Sequence, residues 1–416
     1  MKRILLLTRP ICPPWDEGSK NFAYTLAKYA GDVEVHLLTY PGCGASDTAW
    51  IFNLQNVVCH DIYTSSKWDW SQKIRAYIFL AKEFFLKGGR KYDILHSFFT
   101  PTRLNSFALK LCLRNTKTKT IQTLATLRDD LYGAERLKKI IHADFVITYS
   151  DYAKEKLEKI GFRKIKRIYP GIDIKKYSPT PKDRAYLKRY ETGEDDFVIN
   201  YTGEYVRLGD MDDIVNAFID LTRFAIPGLI RDPENKFGAE KLDSRWSLSR
   251  TGMRGGNDKN RKFKLHLAVR VKNEKDAQKK REIIAKLKKE GVLDRVAFID
   301  DCSYVMEDVF NLCDISIFPA RTMAGKFDIP LAVIEAMACG KPVIASNLER
   351  LKYFLNNENS ILVPPGNREA LKENILYLYN NPEKRNDLAR RGIDFVRANF
   401  DIAKIVKEYE EVYAKL

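Results

Sequence analysis

No apolar run among these 416 residues approaches the roughly 18–20 residues that cross a membrane as a helix. The seven cysteines (Cys12, Cys43, Cys59, Cys112, Cys302, Cys313 and Cys339) include no pair at metal-ligand spacing, and their number is odd. That pattern argues against a disulfide framework and for reduced core thiols in a cytosolic protein. The five histidines are equally dispersed, so no zinc site is expected. The start, Lys2-Arg3 followed by Ile4–Leu7, is basic and then apolar, but the run is too short for a leader and Arg9-Pro10 closes it. It reads as a first buried parallel strand. No recognisable nucleic-acid module accompanies the chain's positive charge, so nucleic acid is not the expected partner.

What is present is an ordinary globular composition, with 45% hydrophobic and 30% charged residues, in a chain long enough for two domains. The net charge of +16 is uneven: residues 1–180 hold 30 Lys/Arg against 17 Asp/Glu, and the remainder 41 against 38. The first half therefore favours an anionic partner. Short apolar strands alternate with helical patterns in both halves, beginning with Ile4–Thr8 and Val33–Thr39 and restarting at Phe197–Tyr201. This predicts two doubly wound, Rossmann-like α/β domains, over 1–178 and 185–399, facing a cleft. Residues 227–262 interrupt the rhythm and read as a long surface insertion.

In such domains ligands meet the loops at the carboxyl ends of the strands. Gly18 and Ser19 follow the first strand and open a helix, where a phosphate could be received. Arg270 and Lys272 end the strand that begins at Phe263. Residues 66–91 read as an amphipathic helix of interleaved aromatic and basic residues, stopped by Gly88-Gly89. Core packing explains its aromatics, and docking on an anionic membrane surface explains the whole mixture.

The most informative stretch runs from Phe327 to Ser346. Asp328 can cap a helix, Pro330 suits its first turn and Gly340 can end it before a short strand from Val343. The amides of Ile329, Leu331 and Ala332 would then point outward at the positive end of the helix, ready for a phosphate. Glu335 is the only ionisable residue on this apolar helix. A buried carboxylate needs partners, and sugar hydroxyls would supply them.

Glu335 to Ser346 closely resembles the donor-binding segment of the retaining GT-B glycosyltransferases of family four. Arg167–Asp173 and Leu362–Gly366 resemble other pieces of that family, and Asp93–Ser97 resembles its Asp-Ile-Val-His strand. The resemblance implies transfer of a sugar from a nucleotide-sugar, bound by the second domain, to a hydroxyl held by the first. It implies no cofactor and no metal, with configuration retained. Glu335 would hold the ribose, and His96 carries over from the strand as a candidate catalytic residue, with a structural place at the strand end as the other reading; the family's second His, which lies near the transferred sugar, is missing. A last helix over 400–416 would pack back on the first domain. The chain departs from the pattern in three places: Phe98 replaces a second His, Glu204 an Arg that neutralises the diphosphate, and Phe327 the first of two Glu. Arg207, Arg270 and Lys272 are the replacement cations, and Asp328 the replacement acid. Related enzymes with lipid acceptors imply a lipid-linked or polysaccharide acceptor at the cytoplasmic membrane face, with 66–91 against it. The alternative is a non-catalytic member that binds a nucleotide-sugar or a partner.

Overall fold

The computed structural model describes residues 1–12, 18–40, 56–86, 91–98, 102–224, 262–300 and 305–416. The first half forms β1 (Lys2–Ile11), α1 (Gly18–Tyr29), β2 (Val33–Thr39), β3 (Val57–Asp61), α2 (Trp70–Leu80), β4 (Ile94–Ser97), α3 (Arg103–Leu113), β5 (Lys119–Leu124), α4 (Ala134–Ile140), β6 (Phe145–Thr148), α5 (Asp151–Lys159) and β7 (Ile165–Arg167). Its strands make a seven-stranded parallel sheet in the order β3-β2-β1-β4-β5-β6-β7. The second half forms α6 (Arg184–Arg189), β8 (Phe197–Tyr201), α7 (Met211–Phe224), β9 (Phe263–Leu267), α8 (Glu274–Lys289), β10 (Val296–Phe298), α9 (Met306–Leu312), β11 (Ile315–Phe318), α10 (Leu331–Ala338), β12 (Val343–Ser346), β13 (Ile361–Val363), α11 (Arg368–Asn380), α12 (Pro382–Asn399) and α13 (Ile402–Lys415). Its parallel sheet has six strands in the order β10-β9-β8-β11-β12-β13.

Both sheets are doubly wound, as the alternating pattern predicts. Their central strands are apolar throughout because helices cover both faces: Ile4–Leu7 of β1 and all of β8 are buried. The strand order reverses between β1 and β4 and again between β8 and β11. Loops diverge at these switch points and leave crevices. In the second sheet this brings the turn after β8, the end of β9 and the loop after β11 side by side.

Helix α10 ends as expected, with Gly340 at a φ of +70° and the Lys341 N–H on the Ala336 carbonyl. The chain then leaves α12 through Phe400 and returns to the first sheet. Across that crossing the Ile172 N–H donates to the Phe400 carbonyl and the Ile172 carbonyl accepts from the Ile402 N–H, and Tyr413 of α13 meets His96 of β4. One continuous apolar cluster joins Ile4 and Tyr149 of the first domain to Ile329, Ile334 and Tyr409.

Two boundaries differ from expectation. β1 runs past Arg9-Pro10 to Ile11, because its pairing with β2 shifts register between Leu6 and Ile11 and spares Pro10 a ladder bond. The helix expected over 66–91 starts at the Asp69 cap and passes from α2 into a π-helical turn, Ala81–Leu86. Its Gly88-Gly89 stop and all of 227–262 but Lys262 lie outside the described residues. Among the described residues, no helix is long and apolar enough to cross a membrane.

Candidate active site

The turn after β8 is shaped by Tyr201. Its hydroxyl donates to Asp210 Oδ1 at 2.8 Å and accepts the Glu204 N–H at 3.2 Å. A Cβ on Gly203 would lie 2.2 Å from that hydroxyl, so only glycine fits there. The pinned turn aims Glu204 at three cations: Arg207 Nε stands 2.9 Å from its carboxylate, Lys326 Nζ 3.1 Å and Lys272 Nζ 3.5 Å. Burial would raise the Glu204 pKa, but Lys326, Lys272 and Arg207 together hold it below the usual value. Arg207 and Lys272, both predicted from sequence, thus belong to one cluster. Arg270 is partly exposed just past β9, two residues before Lys272. Lys326, which sequence reading passed over, stands directly before the Phe327 motif. Arg321, also passed over, forms a two-bond pair with Asp213 on the same rim.

The loop after β11 then crosses to the first domain. Thr126 Oγ1 donates to the Lys326 carbonyl, and the Phe327 ring packs edge-on against Tyr149 with centroids 6.0 Å apart. Where the resembled family has a sugar-binding acid, this chain has an apolar contact between domains.

Asp328 differs from both of its expected roles. The residue that caps α10 is Pro330, and no side chain takes part. The Asp328 carboxylate is fully buried, accepts from Ser150 Oγ at 2.8 Å and pairs with Arg350 at 3.1 Å. Burial pushes its pKa up to about 7, against the pull of Arg350. It joins the domains and does not face the cleft as a catalytic acid would. His96 takes the structural of its two expected roles. It is fully buried, one ring nitrogen meeting Tyr413 Oη and the other Thr123 Oγ1, each at 2.7 Å. Burial lowers its pKa to about 3. With both nitrogens engaged, His96 is a neutral core residue tying α13 to the first sheet.

Helix α10 carries Ile329 just before its start as a core residue, while Leu331 and Glu335 line a cavity of about 280 Å³ between the domains. Tyr24 and Lys28 of α1, Tyr149 and Tyr177 line it too. Burial raises the Glu335 pKa to about 7, while a hydrogen bond from the Tyr177 hydroxyl and the charge of Lys176 oppose the rise. Ala332 is partly exposed in the first turn. Gly18 is the first residue of α1, and the loop before it lies outside the described residues. Asp210-Met211-Asp212 has Asp-x-Asp spacing. Asp210 is buried on Tyr201, and Asp212 pairs with Lys279.

Two family models match the chain in succession: Glycosyltransferase Family 4 over residues 17–176 and Glycosyl transferases group 1 over 257–395. An uncharacterized glycosyltransferase of Methanocaldococcus jannaschii is 31% identical over 126 residues, 30% of this chain and 33% of that protein. The matches to curated relatives span a third or less of their lengths. Among solved structures, the Anabaena protein HepE in complex with UDP and glucose is similar over 100% of both chains, with a TM-score of 0.71 and 15% identity. Sucrose-phosphate synthase of Thermosynechococcus elongatus is similar over 100% of this chain and 99% of its own, with a TM-score of 0.71 and 17% identity. At such identities the likeness is one of fold.

Proposed function

We propose, from the premise that this chain is a GT-B protein of the group 1 and family 4 glycosyltransferase type, that it moves a sugar from a nucleotide-sugar to an acceptor hydroxyl. The observation that carries the proposal is the convergence of Arg207, Lys272 and Lys326 in the crevice at the second sheet's switch point. Three cations less one carboxylate leave a net charge of about +2, which matches a dianionic diphosphate diester. The amides at the start of α10 add partial positive charge to the same rim. Glu335 would accept from the two ribose hydroxyls inside the cavity it lines. Closure of the domains over the bound donor excludes water and limits hydrolysis. Charge on the leaving diphosphate would be stabilised by the cations and amides. Retention of configuration and independence of metal are part of the proposal. Three structures of Anabaena HepE, similar in fold, hold UDP, UDP and glucose, or UDP-glucose, so uridine donors are tested first.

The acceptor side is the basic first domain. Exposed Trp70, Ile74 and Ile78 form one stripe on α2, and exposed Leu104, Phe107 and Leu111 form another on α3. Tyr77 Oη donates to Asn105 Oδ1 and ties the two helices together. Lysines and arginines flank both stripes, including Lys73, which lies over the Trp70 ring at 4.8 Å. This mixture suits an anionic membrane surface and a lipid-linked acceptor.

A thermal-shift screen against nucleoside diphosphates and their sugars tests the donor assignment. A ligand that binds only the native state at a hundred times its Kd stabilises by about 2.7 kcal/mol. At least one nucleoside diphosphate should raise the melting temperature by several degrees. No shift with any of them at millimolar concentration would refute the proposal.

A further inference from the structure

We infer that Glu204 is a positioning residue: its carboxylate draws Arg207, Lys272 and Lys326 onto one spot and keeps Lys326 a cation, so that a diphosphate meets a charged cradle already assembled. The inference rests on the donor-site reading above and deepens it. An acid at this position looks unfavourable for a phosphate site, and the geometry says otherwise. Glu204 is largely buried, its backbone is fixed by Tyr201, and its two oxygens divide the cations. Oε1 takes Lys326 and Lys272, and Oε2 takes Arg207. Without it, three like charges would crowd one site and disperse. Each would then have to be gathered again at the moment of binding, which lowers affinity.

Lys326 is the member most exposed to that loss. It is held between the domains, with its carbonyl on Thr126 and only 24% of its side chain accessible. The groups around it are Glu204 and Arg207 from the turn after β8, Lys272 from beyond β9, and Asp210 at the start of α7. Arg128, which pairs with Asp130, lies near Gly325 on the first-domain side. Burial lowers the Lys326 pKa, and Glu204 is the first influence that raises it. When Glu204 is neutralised, burial, Lys272 and Arg207 all push the proton off. The site then holds Lys326 as a cation less firmly as pH rises.

The test measures inorganic pyrophosphate binding by calorimetry from pH 6 to pH 9, for the full chain and for Glu204→Gln. The ratio of the two at each pH cancels the probe's own ionisation. Plain electrostatics predicts that Glu204→Gln, one charge more positive, binds tighter at every pH. The positioning role predicts weaker binding, with a ratio that worsens at least about tenfold as pH rises, the loss of one charge-assisted contact. Adding Lys326→Arg, whose charge cannot be titrated away, should restore a flat ratio. Should Glu204→Gln not fold, Glu204→Asp, whose shorter side chain draws the carboxylate back from Lys326, is compared with the unaltered chain and should lose pyrophosphate earlier in the alkaline range. An unchanged alkaline limb, or a Glu204→Gln ratio that is flat or tighter, overturns the inference and leaves the donor site standing. Absence of pyrophosphate binding in the unaltered chain removes both.

Discussion

Glu335 shows how far a single residue could be read in advance. One acid on an apolar helix had to be buried and had to find partners, and both followed from the sequence. The partner itself, Tyr177, lies in the connector between domains, where no local spacing marks it. Its raised pKa gives opposite effects on stability and binding. The folded chain holds a proton on Glu335 between pH 4.5 and about 7 that the unfolded chain has released, so this group's contribution to stability is lost as pH rises through that window. Glu335→Gln should therefore raise stability at pH 8, by on the order of 1–3 kcal/mol, and leave it unchanged near pH 4. Ribose binding needs the carboxylate as acceptor, so donor affinity should rise from pH 6 to pH 8. Glu335→Gln should abolish that rise and weaken binding about tenfold or more. Melting curves and donor titrations at the two pH values check both signs. Loss of stability together with affinity at pH 8 would mark Glu335 as structural. His96 teaches the converse. A histidine at a strand end looks the same in sequence whether its ring meets a ligand or a tyrosine on a helix 317 residues away.

Among the elements, buried parallel strands were the most legible, because both faces must be apolar and the runs stand out. β3 and β7 escaped notice for the same reason. Both lie at sheet edges, and neither has a buried residue to form such a run. The helix over 66–91 was legible as amphipathic, but core packing and surface docking predict the same letters. The structure separates them by face: Gln72, Ala76 and Leu80 turn inward, while Trp70 and Ile78 are 64% and 63% exposed. The second stripe, with Phe107 66% exposed on α3, is not legible in the sequence, since the pairing of the two helices is a tertiary fact. If this face docks on a bilayer, Trp70→Ser with Phe107→Ser should cut binding to anionic phospholipid vesicles at least about tenfold. Both side chains are exposed, so stability should change by no more than about 0.5 kcal/mol each, and pyrophosphate binding should not change. Vesicle sedimentation measures the first effect. Equal sedimentation of variant and unaltered chain would rule the face out.

At the level of the whole molecule, the two domains are held by a buried ionic junction that no sequence pattern announces. Its members come from four places: Asp328 before α10, Arg350 after β12, Ser150 at the cap of α5, and Asp129 in the loop after β5. Arg350 also donates to the Leu127 carbonyl and lies over the Tyr152 ring. The sequence suggests a cap or a sugar-facing acid for Asp328, both roles set by the neighbouring helix, whereas its actual partners come from across the domain boundary. Cutting the junction at Arg350 should do more than remove one contact. Above pH 8, Arg350→Met requires the buried Asp328 to ionise beside the partly exposed Asp129 carboxylate with no cation between them, and breaking a buried pair in this way costs about 3–5 kcal/mol. Interfaces between domains of one chain are commonly marginal. Relief is available without unfolding either sheet, by swinging the domains apart. Arg350→Met should therefore raise the radius of gyration seen by X-ray scattering and weaken donor binding, while each domain keeps its secondary structure. Asp328→Asn added to it removes the uncompensated charge, keeps the bond from Ser150, and should bring the scattering profile back toward the closed form. Ordinary loss of packing would not be repaired by that second change, so failure of Asp328→Asn to restore closure would show that the junction acts by shape and not by charge.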